Sequence, residues 1–287
     1  MEYVEEAEVR ELSPEKERNN RIINACVAYL IAYVGLSVFF HFITGFLAYK
    51  FYLHPKLYYF KIEFLSNFEQ WTIERVNKTF APSLIIFTII GVSMLLLQRT
   101  FKKRPGLFKM IMLWIGIHAL NTVIVHVLLS PMEIKTSLNM TMLTSYQFWD
   151  DQSKLTLSVF SLFFPFIIGN YVAKPFVQLA NTTQLIHKNI SRITYLFQIV
   201  VIPFLLGTLV QFIYFAGSES VFNAAYAITM FTTVFSIFIY ALRNKMIMVY
   251  RLPESPDINN KLLVGLILFM VILKLSPLNT GLVLYLE

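Results

Sequence analysis

The sequence predicts an all-α, polytopic integral membrane protein: a bundle of seven transmembrane helices with the N-terminus cytoplasmic and the C-terminus outside. Three observations predict it. The 287-residue chain is 56% hydrophobic and only 14% charged, against roughly 45–50% apolar and about 25% charged in a soluble domain, so it lacks the polar surface to clothe a globule in water. Its mean hydropathy is +0.61. Seven apolar runs recur along it, each near the roughly 20 residues that cross about 30 Å of hydrocarbon; six to eight crossings are compatible with their lengths.

Residues 1–21 form a charged cytoplasmic tail, with Glu5, Glu6 and Glu8 where a signal peptide would need an apolar core, so the first run is read as a retained anchor. Residues 22–287 then form a single transmembrane domain. Its spans are read at 22–48, 80–97, 107–129, 155–173, 193–215, 222–242 and 262–286. They lack the alternation of an outer-membrane barrel and far exceed the 9–11 residues of a barrel strand, so they are helices. With the N-terminus inside, sixteen Lys and Arg fall in cytoplasmic segments and seven outside, with Lys274 in the last span, which sets the orientation. The basic turn Arg99–Arg104 is the densest part of that signal.

The last span is the weakest element. Residues 262–275 cover only about 21 Å, whereas continuing to 286 gives about 37 Å. Continuation passes through Ser276-Pro277, and proline removes a backbone donor and bends a helix, so two half-helices are expected. In the outer loop 49–79, Ser66-Asn67-Phe68-Glu69 has capping-box spacing, and Phe68, Trp71, Arg75 and Val76 follow at helical spacing. A short interfacial helix is expected there. The other outer segment, 132–154, reads as an exposed loop without pattern. No internal repeat is present.

Polar residues inside a membrane are costly and mark candidate sites. On the third span Trp114, His118, Asn121 and Thr122 share one face; His118 and Asn121 are candidates for ligand binding, or else bonds between helices. On the first span Ser37, His41 and Thr44 make a polar stripe. If His41 and His126 lie at one depth with His54 just above, three imidazoles would suit zinc, with one position open for water; no other cofactor is implied. Lys274, followed by Asn279, is the third candidate. No Asp or Glu lies within any span, so this lysine snorkels, bonds carbonyls freed at Pro277, or meets an anionic ligand. Small residues at helical spacing, Ala25, Ala28, Ala32 and Gly35 on the first span and Ala225, Thr229, Thr232, Thr233 and Ser236 on the sixth, are read as packing.

Cys26 is the only cysteine, which excludes an intramolecular disulfide and a thiolate zinc site. A net charge of +7 reports cytoplasmic loops, not nucleic-acid binding. His-Glu-x-x-His, a P-loop and a membrane carboxylate relay are all missing. Gly91-Val92-Ser93 with His118 and Asn121 resembles the Gly-x-Ser, His and Asn of rhomboid proteases, but in reversed order. Seven spans with the N-terminus inside resembles the adiponectin-receptor type of hydrolase, whose paired histidines in the last helix are missing here. The first expectation is therefore an accessory or assembly subunit of a complex in the cell (inner) membrane, without enzyme activity, whose partners are the lipid bilayer and other membrane proteins. A transporter or channel for an anionic or amphipathic solute is the alternative resting on Lys274. A membrane-embedded metal-dependent hydrolase is the alternative resting on the histidines.

Overall fold

The computed structural model describes residues 13–66, 70–100, 106–132, 139–180, 182–215, 220–243 and 258–284. The chain is an all-α polytopic membrane protein: six of its helical stretches are long and apolar enough to cross a bilayer. Residues 1–12, the centre of the expected capping box at 67–69, most of the basic turn, and 285–287 lie outside the described residues.

Helix α1 runs from Pro14 to Lys50, starting eight residues before the expected span. Ser13 caps it by accepting from Lys16 N at 3.4 Å, Pro14 opens its first turn, and Glu15 and Glu17 face the positive end of the helix dipole. The charged stretch 14–21 is thus the first turns of the anchor. The helix stops in a Schellman motif, with Leu53 N bonded to Ala48 O at 2.9 Å and Tyr52 N to Tyr49 O at 3.1 Å. Tyr52 holds the left-handed conformation, φ 61°, that glycine usually supplies.

From Leu53 to Phe60, buried and half-buried residues alternate, the period of a strand. Strand β1 (Pro55–Leu57) pairs antiparallel with β2 (Ile62–Phe64), and on its other edge with β3 (Leu282–Val283), giving the order β2-β1-β3. Leu57 packs so closely on Gly45 of α1 that a Cβ there would lie 2.0 Å from Leu57 Cδ2. The hairpin therefore folds back along the last turns of α1. No separate interfacial helix occurs among the described residues of 49–79. Instead α2 begins at Ile73, with Thr72 Oγ1 accepting from Arg75 N at 3.3 Å, and runs unbroken to Thr100. From Ile73 to Phe80 the helix is unbroken, so Arg75 and Val76 of the expected interfacial helix belong to the first turn of the span.

Helix α3 (Gly106–Leu128) is the central element, with 61% of its apolar window buried against 28% for α2. The two cross where Gly91 and Gly116 meet: a Cβ on either would stand 3.2 Å from the other's carbonyl oxygen and closer still to a leucine side chain. Residues 139–146 form a helix, α4, where an exposed loop was expected. Leu143 is buried against Leu36, Phe80 and Phe87, which stabilises a turn too short to persist alone.

The fourth expected span is two helices, α5 (Asp151–Ser161) and α6 (Phe164–Val177), broken just before Pro165. Gly169 of α6 lies against Thr233 and Ser236 of α10, and Ser236 Oγ donates to Phe166 O at 2.9 Å. The small-residue stripe of the sixth span is thus a packing face. Helices α7 (Gln184–His187) and α8 (Asn189–Leu196) lead into a π-helical turn, Phe197–Val201, before α9 (Ile202–Tyr214). Pro203 removes a donor and crowds the preceding carbonyls, and the wider turn accommodates it.

Helix α10 spans Ser220–Arg243, and α11 spans Asn260–Leu275. After α11 the chain departs from expectation: Ser276 is extended, Pro277–Asn279 is a 3₁₀ turn, and Gly281, at φ 92°, turns the backbone into β3. The second half-helix is replaced by a strand because the free edge of β1 offers ladder partners, with Leu284 N bonded to Pro55 O at 3.1 Å. A side chain at Gly281 would strike Lys56 and Tyr58.

Candidate functional site

The polar centre of the bundle is built on α3. Trp114, His118 and Asn121 share the face that α1 and α10 cover, and all three are buried. His118 Nδ1 is hydrogen-bonded to the Tyr226 hydroxyl of α10 at 2.6 Å, and Asn121 Nδ2 donates to the Tyr226 carbonyl at 3.2 Å. Thr122 turns inward on its own helix, its hydroxyl donating to His118 O at 2.9 Å. Tyr29 of α1 meets the His118 ring edge-on at 4.4 Å and Trp114 at 4.8 Å. Gly207 of α9 makes room for that tyrosine, since a Cβ there would lie 2.1 Å from its ring. One face of α3 is thereby tied to two neighbours, α1 and α10.

His41 and His126 lie nearer the sheet end. His126 stacks on Phe40 at 4.9 Å and meets Phe222 at 5.1 Å, while His41 hydrogen-bonds the backbone of Tyr59. Both Nδ1 atoms are buried without a hydrogen-bond partner. His54 sits at φ 39° in the link between α1 and β1. The hairpin folds back so that its backbone reaches His41 at Tyr59. Among the described residues, no group of three or more His, Cys, Asp or Glu side chains is placed to hold a metal ion. The expected three-histidine convergence does not form.

Lys274 lies in the last turn of α11. Its ammonium stands 5.3 Å from the Tyr59 ring and 5.1 Å from the Tyr214 ring, a double cation–π contact. Those rings are themselves fixed, Tyr59 OH donating to Tyr214 O at 3.0 Å and Tyr214 OH to Met270 O at 2.5 Å. Asn279 is exposed in the 3₁₀ turn. Above the membrane-spanning segments, Lys61 and Tyr58 both bond Glu63, at 2.5 and 3.1 Å, and the Lys61 ammonium foremost holds that carboxyl below its ordinary range.

A second polar set was missed in the sequence reading. Arg192 donates from Nη1 to Ala241 O at 2.9 Å and from Nε and Nη2 to Ile186 O at 3.0 and 2.9 Å, joining the ends of α10 and α7. Arg21 Nη1 donates to Gln198 Oε1 in the π turn at 2.9 Å, and its guanidinium lies 5.4 Å over Tyr195. Gln211 bonds Asn223 at 3.2 Å between α9 and α10. The signal was present for the amides, since Gln198 and Gln211 each sit within an apolar run. Compared with known proteins, the chain matches no family model, no curated protein and no solved structure.

Proposed function

We propose that this multi-pass membrane protein is an accessory or assembly subunit of a membrane complex. One observation carries the reading: several polar residues inside the bundle engage a neighbouring helix. His118 and Asn121 both engage Tyr226, Gln211 engages Asn223, and Lys274 rests on Tyr59 and Tyr214. A transporter or hydrolase keeps such groups for its substrate. The exposed faces of α2, α9 and α11 are rows of Ile, Leu, Val and Phe suited to lipid or to a partner helix. We also read α11 with its 3₁₀ turn and β3 as the seventh crossing, with the N-terminus cytoplasmic.

Gentle extraction from the native membrane, followed by native mass spectrometry, tests the proposal. The expected result is a stoichiometric companion polypeptide whose abundance in the membrane falls when this chain is deleted. A lone chain that moves an anionic solute, with movement lost in Lys274→Met at normal accumulation, would replace the reading with a transporter. A lone chain retaining stoichiometric zinc would replace it with a metal-dependent activity.

A further inference from the structure

The outward side of α5 carries two adjoining grooves. One, of about 460 Å³, is lined by Trp149, Asp150, Gln152, Ser153 and Thr156 and ends at Phe160. The other, about 260 Å³, shares Thr156 and Phe160 and continues past Val159 to Phe163. Together they form one surface that is acidic and aromatic at the start of α5 and wholly apolar about 20 Å further along. Ser158 Oγ bonds Leu128 O at 2.6 Å, so the change from polar to apolar lining falls level with the end of the central helix α3. A phospholipid makes the same change along its length, from headgroup to acyl chain.

The head of the groove is built deliberately. Helix α4 ends in a Schellman motif, Trp149 N bonding Thr144 O at 3.0 Å and Phe148 N bonding Ser145 O at 3.2 Å. Phe148 occupies the glycine position at φ 55° and is 84% exposed. A bulky residue in left-handed backbone is retained at a cost and marks functional sites. This turn sets Trp149 at the mouth beside Asp150, whose carboxylate is held below its ordinary range by hydrogen bonds from Ser153. Asp151 pairs with Lys154 at 3.7 Å. Lys154 also lies near enough to stabilise the Asp150 charge, and the Asp150 carboxylate itself is exposed at the mouth.

We propose that this surface binds a phospholipid whose headgroup carries an ammonium, with the cation at Trp149 and Asp150 and an acyl chain along Phe160 and Phe163. An indole face and a carboxylate side by side attract an ammonium and repel an anionic headgroup. Asp150→Asn removes the charge while keeping a good N-cap, so α5 survives the test.

The purified chain is reconstituted in phosphatidylglycerol vesicles containing a minor fraction of phosphatidylcholine bearing a nitroxide on its choline. Quenching at Trp149 is taken as the difference between the wild type and Trp149→Phe. Quenching about two- to fivefold above random mixing is expected, falling to random mixing in Asp150→Asn. Random-mixing quenching in the wild type would overturn the proposal, as would enrichment that survives Asp150→Asn.

Discussion

At the scale of single residues, the structure separates bonds that hold the bundle from charges that meet its surface. Tyr226→Phe removes the hydroxyl bonded to His118 and leaves the carbonyl that Asn121 uses. Interhelical side-chain bonds in membranes average about 0.6 kcal/mol, so equilibrium unfolding in bicelles is expected to show a loss of that order. His118→Ala should cost more, because it also opens a cavity among Tyr29, Trp114 and Tyr33. Lys274→Met is expected to accumulate normally and to lose about 0.5–1 kcal/mol, the worth of a cation–π contact at an exposed site, whereas Lys274→Arg should retain it. For Glu63 the sign follows from its lowered carboxyl. Its contribution is present above the unfolded-state pKa and is lost as pH falls through the folded-state value. Melting from pH 7 to pH 3 should therefore narrow the difference between wild type and Glu63→Gln.

At the scale of elements, the long helices were legible and the short structure was not. An apolar run near 20 residues has one solution in lipid, since every backbone group must be satisfied within the segment. That logic found α1, α2, α3 and α10 without any tertiary information. The hairpin was different: Leu53, Pro55, Leu57 and Tyr59 alternate in the sequence, but β1 is stabilised by β3, more than 200 residues away. Helix α4 depends on burial of Leu143, which no local pattern declares. The candidate residues His118, Asn121 and Lys274 were visible as polar atoms in apolar runs. Their partners Tyr226, Tyr59 and Tyr214 were not, because tyrosine in a membrane run gives no such signal. Two substitutions probe these elements. Phe148→Gly relieves left-handed strain and should stabilise α4 by about 1 kcal/mol, read as slower amide exchange over 139–146. Gly91→Val should push α2 from α3, since the added atoms meet Leu120 and the Gly116 carbonyl; the expected cost is about 1–3 kcal/mol in the same unfolding assay.

At the scale of the whole molecule, the 16-residue helix α11 is short for the seventh crossing we propose. Helix α11 supplies about 24 Å at the helical rise and the 3₁₀ turn roughly another 6 Å, together near the hydrocarbon thickness. Its two ends are tied to α1 and to the hairpin. Asn259 N bonds Asn24 Oδ1 at 3.1 Å, and Tyr59 N in the hairpin bonds Leu278 O at 3.1 Å. Beyond Gly281, β3 runs along β1 back toward the end of α1. A segment that starts beside Asn24 and finishes in the hairpin has traversed the bundle parallel to α1, so the two termini of the transmembrane domain should face opposite sides of the membrane. In a Cys26→Ser background, an impermeant maleimide is expected to label Lys16→Cys and Lys261→Cys from one side, and Lys56→Cys and Thr280→Cys from the other. Labelling of Lys261→Cys and Thr280→Cys from the same side would make α11 re-entrant and the count of crossings six.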